Sequence, residues 1–153
     1  MNPERIYRYG LRLGGGIILL IGLGHIAMPT MGYPPDIVSG WSAAAIDHFY
    51  YLATYFICAA LISIGGLSLA FASLVPSAAS ALFAAAMAGL WAVRLALEML
   101  YPVDVPIYFV DSPHGTITLA VAVAAASYAA AAIAAWKIAT HPQSGENGMM
   151  FSR

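Results

Sequence analysis

Charged residues are scarce in this chain. Only 8% of its 153 residues are Asp, Glu, Lys or Arg, whereas 61% are hydrophobic. A soluble domain carries about 25% charged residues, so this chain has too few to cover a surface that faces water. Six basic residues face seven acidic ones, which excludes a basic nucleic-acid binder. The hydrophobic content excludes intrinsic disorder. The remaining class is a polytopic membrane protein whose partner is the lipid bilayer.

Cysteine and familiar catalytic motifs are also missing. The single cysteine, Cys58, excludes an internal disulfide and any metal cluster built from cysteines. Its neighbours in the sequence are apolar, and we interpret it as a small buried hydrophobic residue. The sequence contains no HExxH or GxSxG motif and no phosphate-binding loop, since the glycines at 14–16 follow no strand pattern.

Four long apolar runs are present instead. They cover residues 13–28, 49–75, 78–100 and 117–136, and each is closed by Pro29, Pro76, Pro102 or Lys137. Only helices and closed barrels satisfy the backbone in lipid, and these runs are too long for barrel strands. We therefore predict an all-α polytopic membrane protein, a four-transmembrane-helix bundle formed by residues 1–140. Residues 141–153 are predicted to be a disordered cytoplasmic tail.

Small residues recur at helical spacing within these runs. Sets of this kind are Gly10 and Gly14, Gly66 and Ala70, Ala81 with Ala85 and Gly89, and Ala122 with Ala126, Ala130 and Ala134. Such ridges let helix backbones approach closely in lipid. They predict a tightly packed bundle, and a surplus ridge would also allow a homo-oligomer.

The distribution of charge predicts the orientation. Basic residues outside the runs lie before the first run or after the fourth, at Arg5, Arg8, Arg12, Lys137 and Arg153. Loops 30–47 and 102–114 contain Asp but neither Lys nor Arg. The positive-inside rule then places both termini in the cytoplasm. In a bacterial inner membrane the two loops would face the periplasm.

Each predicted helix carries polar groups near its outer end. In chain order these are His25, then Asp47, His48 and Tyr51, then Arg94 and Glu98, and finally His114. Ionisable groups within a membrane are costly and are therefore functional candidates. Arg94 and Glu98 are four residues apart and share a helix face. They either neutralise each other in a structural pair, or Arg94 holds an anionic group while Glu98 carries a proton or binds a metal.

These polar groups predict a site that faces outwards. The candidate metal ligands are His25, His48, Glu98 and His114, and the further cofactor-binding residues are Arg94, Asp47 and Tyr51. Copper suits imidazole together with the nearby thioethers of Met28 and Met31. Haem would need two axial imidazoles on facing helices, which His25 could form with His48 or His114.

The loop at residues 101–114 is apolar and rich in proline. A loop of this composition is not expected to project into water. It is either a stiff connector at the headgroups or a lid over a site that opens sideways to the bilayer. The second interpretation suits a lipophilic substrate or a quinone.

The segment Arg12-Leu-Gly-Gly-Gly-Ile-Ile-Leu-Leu-Ile-Gly-Leu-Gly-His25 resembles the first helix of the DoxX-like family. Members of that family are small four-helix bacterial membrane proteins. The resemblance implies the same plan here and a link to membrane redox chemistry that involves quinone. The Arg94–Glu98 pair and the loop at 101–114 are not part of the family pattern.

The residues and the resemblance together favour a redox or redox-accessory membrane protein that binds a metal, haem or quinone. Two alternatives stay open at this point. One is a non-catalytic structural or assembly subunit of a larger membrane complex. The other is a small-molecule transporter, which is disfavoured by the nearly uncharged cytoplasmic half and by the lack of internal repeats.

Overall fold

The computed structural model describes residues 2–31, 40–46, 48, 52–102 and 111–140, with side chains in the first range as far as Ala27. These residues form helices and no strands, and the helices are α1 (Pro3–Met31), α2 (Ala43–Ala45), α3 (Leu52–Ser73), α4 (Ala78–Leu100) and α5 (His114–Thr140). All but the short α2 are long and apolar enough to cross a membrane. The predicted all-α, four-helix membrane fold is therefore confirmed.

The helix boundaries follow local capping. Helix α4 covers the predicted run and begins with a capping box, in which the Ser77 and Ser80 side chains accept hydrogen bonds from each other's backbone N–H. Ser42 caps the short α2, accepting from the Ala45 N–H at 3.1 Å. Helix α1 continues beyond Pro29, where a helix end was expected. A proline removes one backbone hydrogen bond, a loss that a membrane helix tolerates.

Helix α1 is the centre of the bundle. It packs against α3 on one side and α5 on the other, and α4 packs against α5. Helices α3 and α4 are consecutive in the chain but pack against each other far less extensively. The buried core consists largely of alanines together with Tyr7, Leu11, Ile18 and Tyr128. Cys58 is buried as predicted, and its thiol donates to the Gly22 carbonyl of α1 at 3.3 Å.

Glycines allow the close approach of α1 to both neighbours. A Cβ added at Gly15 would lie 2.6 Å from the Cβ of Ser68 in α3, and one added at Gly10 would lie 2.6 Å from the Ser127 carbonyl oxygen in α5. Neither position accommodates a larger residue without a shift of the neighbouring helix. The predicted packing role of Gly10 is confirmed. Gly66 was expected to pack in the same way, but nothing lies within 4 Å of its added Cβ.

One end of the bundle is held by polar and aromatic contacts. We call it the basic end, because it contains Arg5, Arg8, Arg12 and Lys137, and we call the opposite end the far end. Towards the basic end, Tyr7 donates to the Phe71 carbonyl at 2.8 Å, and the hydroxyls of Ser68 and Tyr128 lie 2.5 Å apart. These bonds connect α3 to both α1 and α5. Hydrogen bonds between membrane helices typically contribute about 0.6 kcal/mol, and up to about 2 kcal/mol in model peptides.

The glycine contact predicts a sharp difference between two adjacent substitutions. Gly15→Ala forces the Cβ against Ser68 and should lower the free energy of unfolding by about 1–3 kcal/mol. Gly16→Ala meets nothing within 4 Å, so it should be neutral or stabilising by up to about 1 kcal/mol through helix propensity. Thermal unfolding of both variants in detergent micelles measures the difference. Equal shifts for the two variants would contradict this account of the α1–α3 contact.

Candidate functional site

The carboxylate of Glu98 is fully buried near the far end of α4. Its side chain is 0% exposed, although it belongs to a helix that can span the membrane. The effective cost of burying a carboxylate without a partner is several kcal/mol. Buried carboxylates of this kind therefore require compensating groups close by.

Two side chains provide that compensation. Arg94, one turn earlier in α4, places its Nη1 2.6 Å from Glu98 Oε2. The contact has the distance of an ion pair but not the angle of a directed hydrogen bond. His114, the first residue of α5, places its Nδ1 3.0 Å from the other carboxylate oxygen. The structure therefore contains the Arg94–Glu98 pair suggested by their spacing and adds His114 from the next helix. We call Arg94, Glu98 and His114 the Glu98 cluster.

The cluster has a buried centre and two accessible edges. The side chains of Arg94 and His114 are 39% and 34% exposed, whereas that of Glu98 is not exposed at all. With Glu98 accepting from Nδ1–H, the neutral imidazole keeps Nε2 as a free acceptor. A carboxylate behind one imidazole nitrogen fixes the orientation of the ring. The cluster can therefore offer guanidinium donors and an imidazole acceptor to one molecule.

Two other predicted site residues, His25 and His48, lie in the described part of the chain. His25 is half-buried, and its Nδ1 lies 2.7 Å from the Ile21 carbonyl of its own helix. His48 is exposed. Within the described ranges, no three His, Cys, Asp or Glu side chains are placed so that they could hold a metal ion. Asp47, Tyr51, the Met28 and Met31 side chains, and the 103–110 part of the predicted lid lie outside the described residues.

Two buried polar atoms were not anticipated from the sequence. Trp91 is 6% exposed, and neither its Nε1 nor the Oγ1 of Thr118 has a hydrogen-bond partner in the described part of the chain. Trp91 precedes Arg94 by one turn of α4, and Thr118 follows His114 by one turn of α5. Buried polar groups are normally paired with protein or water. Trp91 and Thr118 each lie one helical turn from a charged or titratable residue, and this spacing could have identified them from the sequence.

No protein-family model, curated protein or solved structure matches this chain. The resemblance of the first helix to the DoxX-like family therefore stays a prediction. A four-helix bundle is compatible with many functions, so a functional argument must come from the cluster itself.

Because Glu98 is buried and Arg94 is partly exposed, we expect the loss of Arg94 to destabilise the protein more than the loss of the Glu98 charge. Arg94→Leu removes the cation from a buried carboxylate, which should cost up to about 3 kcal/mol of unfolding free energy. Glu98→Gln leaves Arg94 partly exposed, where lipid headgroups or water can solvate it, and should cost less. The double variant Arg94→Leu/Glu98→Gln should recover much of the stability lost in Arg94→Leu. Chemical unfolding in detergent measures all three variants.

The chain contains a matched control for this comparison. Arg8 and Glu4 form an ion pair with the same spacing at 2.7 Å, but both side chains are well exposed. Exposed helix pairs contribute only about 0.3–0.5 kcal/mol, so Arg8→Leu should have little effect. If Arg94→Leu were as mild as Arg8→Leu, burial of the Glu98 charge would not govern stability.

Proposed function

We propose that this membrane protein lies in the bacterial inner membrane and binds the polar head of a quinone-like lipophilic molecule at the Glu98 cluster, in a redox or redox-accessory role. The observation that carries the proposal is the buried Glu98 carboxylate, held by Arg94 and His114, which are themselves accessible. A site of this kind, at the end of apolar helices, suits a molecule that is mostly apolar and has a few hydrogen-bonding atoms.

The chemistry of the cluster matches both forms of a quinone. The guanidinium of Arg94 donates to a quinone carbonyl, which is an acceptor. A quinol hydroxyl is a donor and can be accepted by Nε2 of His114. Oxidation of the quinol to the quinone releases two protons and two electrons. His114, beside the Glu98 carboxylate, can take up one hydroxyl proton, and the second passes to water at the far end. The electrons pass to an acceptor in a partner protein, so the role of this chain is to bind the molecule and accept the proton.

Charge at the two ends of the bundle supports the proposed orientation. Arg5, Arg8, Arg12 and Lys137 all lie at the basic end, which the positive-inside rule assigns to the cytoplasm. The Glu98 cluster lies towards the far end. In this orientation the cluster is in the periplasmic half of the membrane.

Labelling of introduced cysteines tests this orientation. Ser42→Cys, at the far end, should react with a membrane-impermeant maleimide in intact cells. Val75→Cys, which is 79% exposed in the connection between α3 and α4, should react only after permeabilisation. Both are made together with Cys58→Ala to remove background. The reverse pattern of labelling would place the cluster on the cytoplasmic side.

Direct binding of a head group tests the proposed function. The probe is a dimethoxy-methyl-benzoquinone without a long chain, titrated into the protein in lipid nanodiscs by calorimetry. His114→Ala removes a hydrogen bond to the head group, and Glu98→Gln removes the charge that positions Arg94 and His114. Each should weaken binding about tenfold or more, because a hydrogen bond that involves a charged group is worth roughly 1.5–3 kcal/mol. Glu4→Gln, which removes an exposed carboxylate at the basic end, is the matched control and should bind normally.

Two results would overturn this proposal. One is the absence of binding to the wild-type protein, and the other is unchanged binding in both cluster variants. Elemental analysis of the same sample tests the metal alternative, which requires a stoichiometric ion. A visible absorption spectrum tests the haem alternative, which requires a haem band.

A further inference from the structure

The buried face of α4 carries an indole as well as a carboxylate. Trp91 and Glu98 are seven residues apart, so they lie on the same side of the helix. Both side chains are buried. Among the described helices, α4 packs extensively only against α5, and α5 therefore provides most of this cover. The indole of Trp91 is buried at the α4–α5 interface, where it belongs to the same core cluster as Val121 of α5.

Thr118 lies on the matching side of α5. It follows His114 by four residues, and residues with this spacing share a helix face. His114 contacts Glu98 of α4, with its Nδ1 3.0 Å from the carboxylate, so this face of α5 is turned towards α4. The Oγ1 atom of Thr118 is buried. An indole N–H and a hydroxyl are thus brought to one interface.

Trp91 and Thr118 also lie at similar depths in the bundle. Helices α4 and α5 run in opposite directions, and the Glu98–His114 contact marks one level on both. At about 1.5 Å per residue, Trp91 is about 10 Å from that level and Thr118 is about 6 Å from it, a difference of about 4–5 Å. Two hydrogen bonds through one water molecule span roughly 5–6 Å. One or two water molecules can therefore connect the two side chains.

The polar atoms of these two side chains are not satisfied by the protein. In the described part of the chain, neither Trp91 Nε1 nor Thr118 Oγ1 makes a hydrogen bond. Three other hydroxyls, those of Ser68, Ser73 and Thr140, donate to carbonyls of their own helix, as is common for serine and threonine in helices. Thr118 departs from this pattern. Unpaired polar groups are especially costly inside a membrane, so both atoms call for a ligand.

We infer that water binds between α4 and α5 at Trp91 and Thr118, on the inner side of the Glu98 cluster. The indole N–H only donates, whereas the threonine hydroxyl both donates and accepts, so the ligand must be a hydrogen-bond acceptor. Water meets this requirement and is small enough to reach buried atoms. Buried waters typically make about three hydrogen bonds, and the carboxylate of Glu98 is a further acceptor on the same face. The inference goes beyond the proposed function and holds whether or not a quinone binds.

The hydrated stretch has one closed end. The next buried residues towards the basic end on the two faces are Ala84 of α4 and Ala124 of α5, with Val121 level with Trp91. None of these three offers a polar side chain to a water molecule. In the other direction the face leads to His114, whose side chain is 34% exposed. Water therefore exchanges with the solvent at the far end, past the Glu98 cluster.

The indole proton of Trp91 tests this inference by NMR. The protein is placed in lipid nanodiscs with its three tryptophans labelled with ¹⁵N in the indole ring. The signals are assigned with Trp41→Phe and Trp136→Phe. The Trp91 indole proton should show a cross peak with water, although the side chain is only 6% exposed. Thr118→Val replaces the hydroxyl with a methyl group of similar size and should reduce the intensity of this cross peak at least twofold.

Two further variants separate the hydroxyl from packing. Thr118→Ser keeps the hydroxyl and should retain the cross peak. Thr140→Val is the matched control, because the Thr140 hydroxyl is exposed and donates to the Trp136 carbonyl of its own helix, and it should leave the Trp91 signal unchanged. The inference is overturned if the wild-type Trp91 proton shows no cross peak with water. It is also overturned if Thr118→Val keeps the full intensity, or if Thr118→Ser loses as much intensity as Thr118→Val.

Discussion

The close approach of α1 to two other helices is the constraint on which the arrangement depends. Its backbone lies against Ser68 of α3 at Gly15 and against the Ser127 carbonyl of α5 at Gly10. Both neighbours are then fixed on either side of α1, and α4 is attached mainly through α5. Helices α3 and α4 become the outer members of the row. They meet through Phe71 and Phe83 and pack against each other far less extensively than the other neighbouring pairs.

The buried Glu98 carboxylate fixes the register between α4 and α5, which apolar packing alone does not fix. Alanine ridges in lipid have no hydrophobic driving force of their own and allow helices to slide along each other. Glu98 must keep His114 within hydrogen-bonding distance, because a buried charge that loses a partner is strongly destabilising. The Glu98–His114 bond at 3.0 Å thereby sets the register of α4 against α5 at the far end. Arg94 completes the neutralisation from the same helix and stays partly exposed.

The position of each residue along its helix could be predicted from the sequence, but the direction in which it points from the helix axis could not. The four helices, the bounds of α4 and the Arg94–Glu98 spacing follow from composition and periodicity alone. Gly65 packs against α1 although Gly66 was expected to do so, because adjacent residues differ by about 100° in direction and only the neighbouring helix decides between them. His25 and His114 were predicted to share a site because each lies near the outer end of its helix, yet Nδ1 of His25 bonds to the Ile21 carbonyl of its own helix.

Electroneutrality narrows the kind of molecule that the cluster can accept. The positive charge of Arg94 and the negative charge of Glu98 cancel each other. A neutral head group with carbonyl or hydroxyl oxygens enters without creating a net charge in the membrane. Glu98 is too deeply buried to touch this head group, so it acts through Arg94 and His114. This balance is compatible with the proposed binding of a neutral quinone.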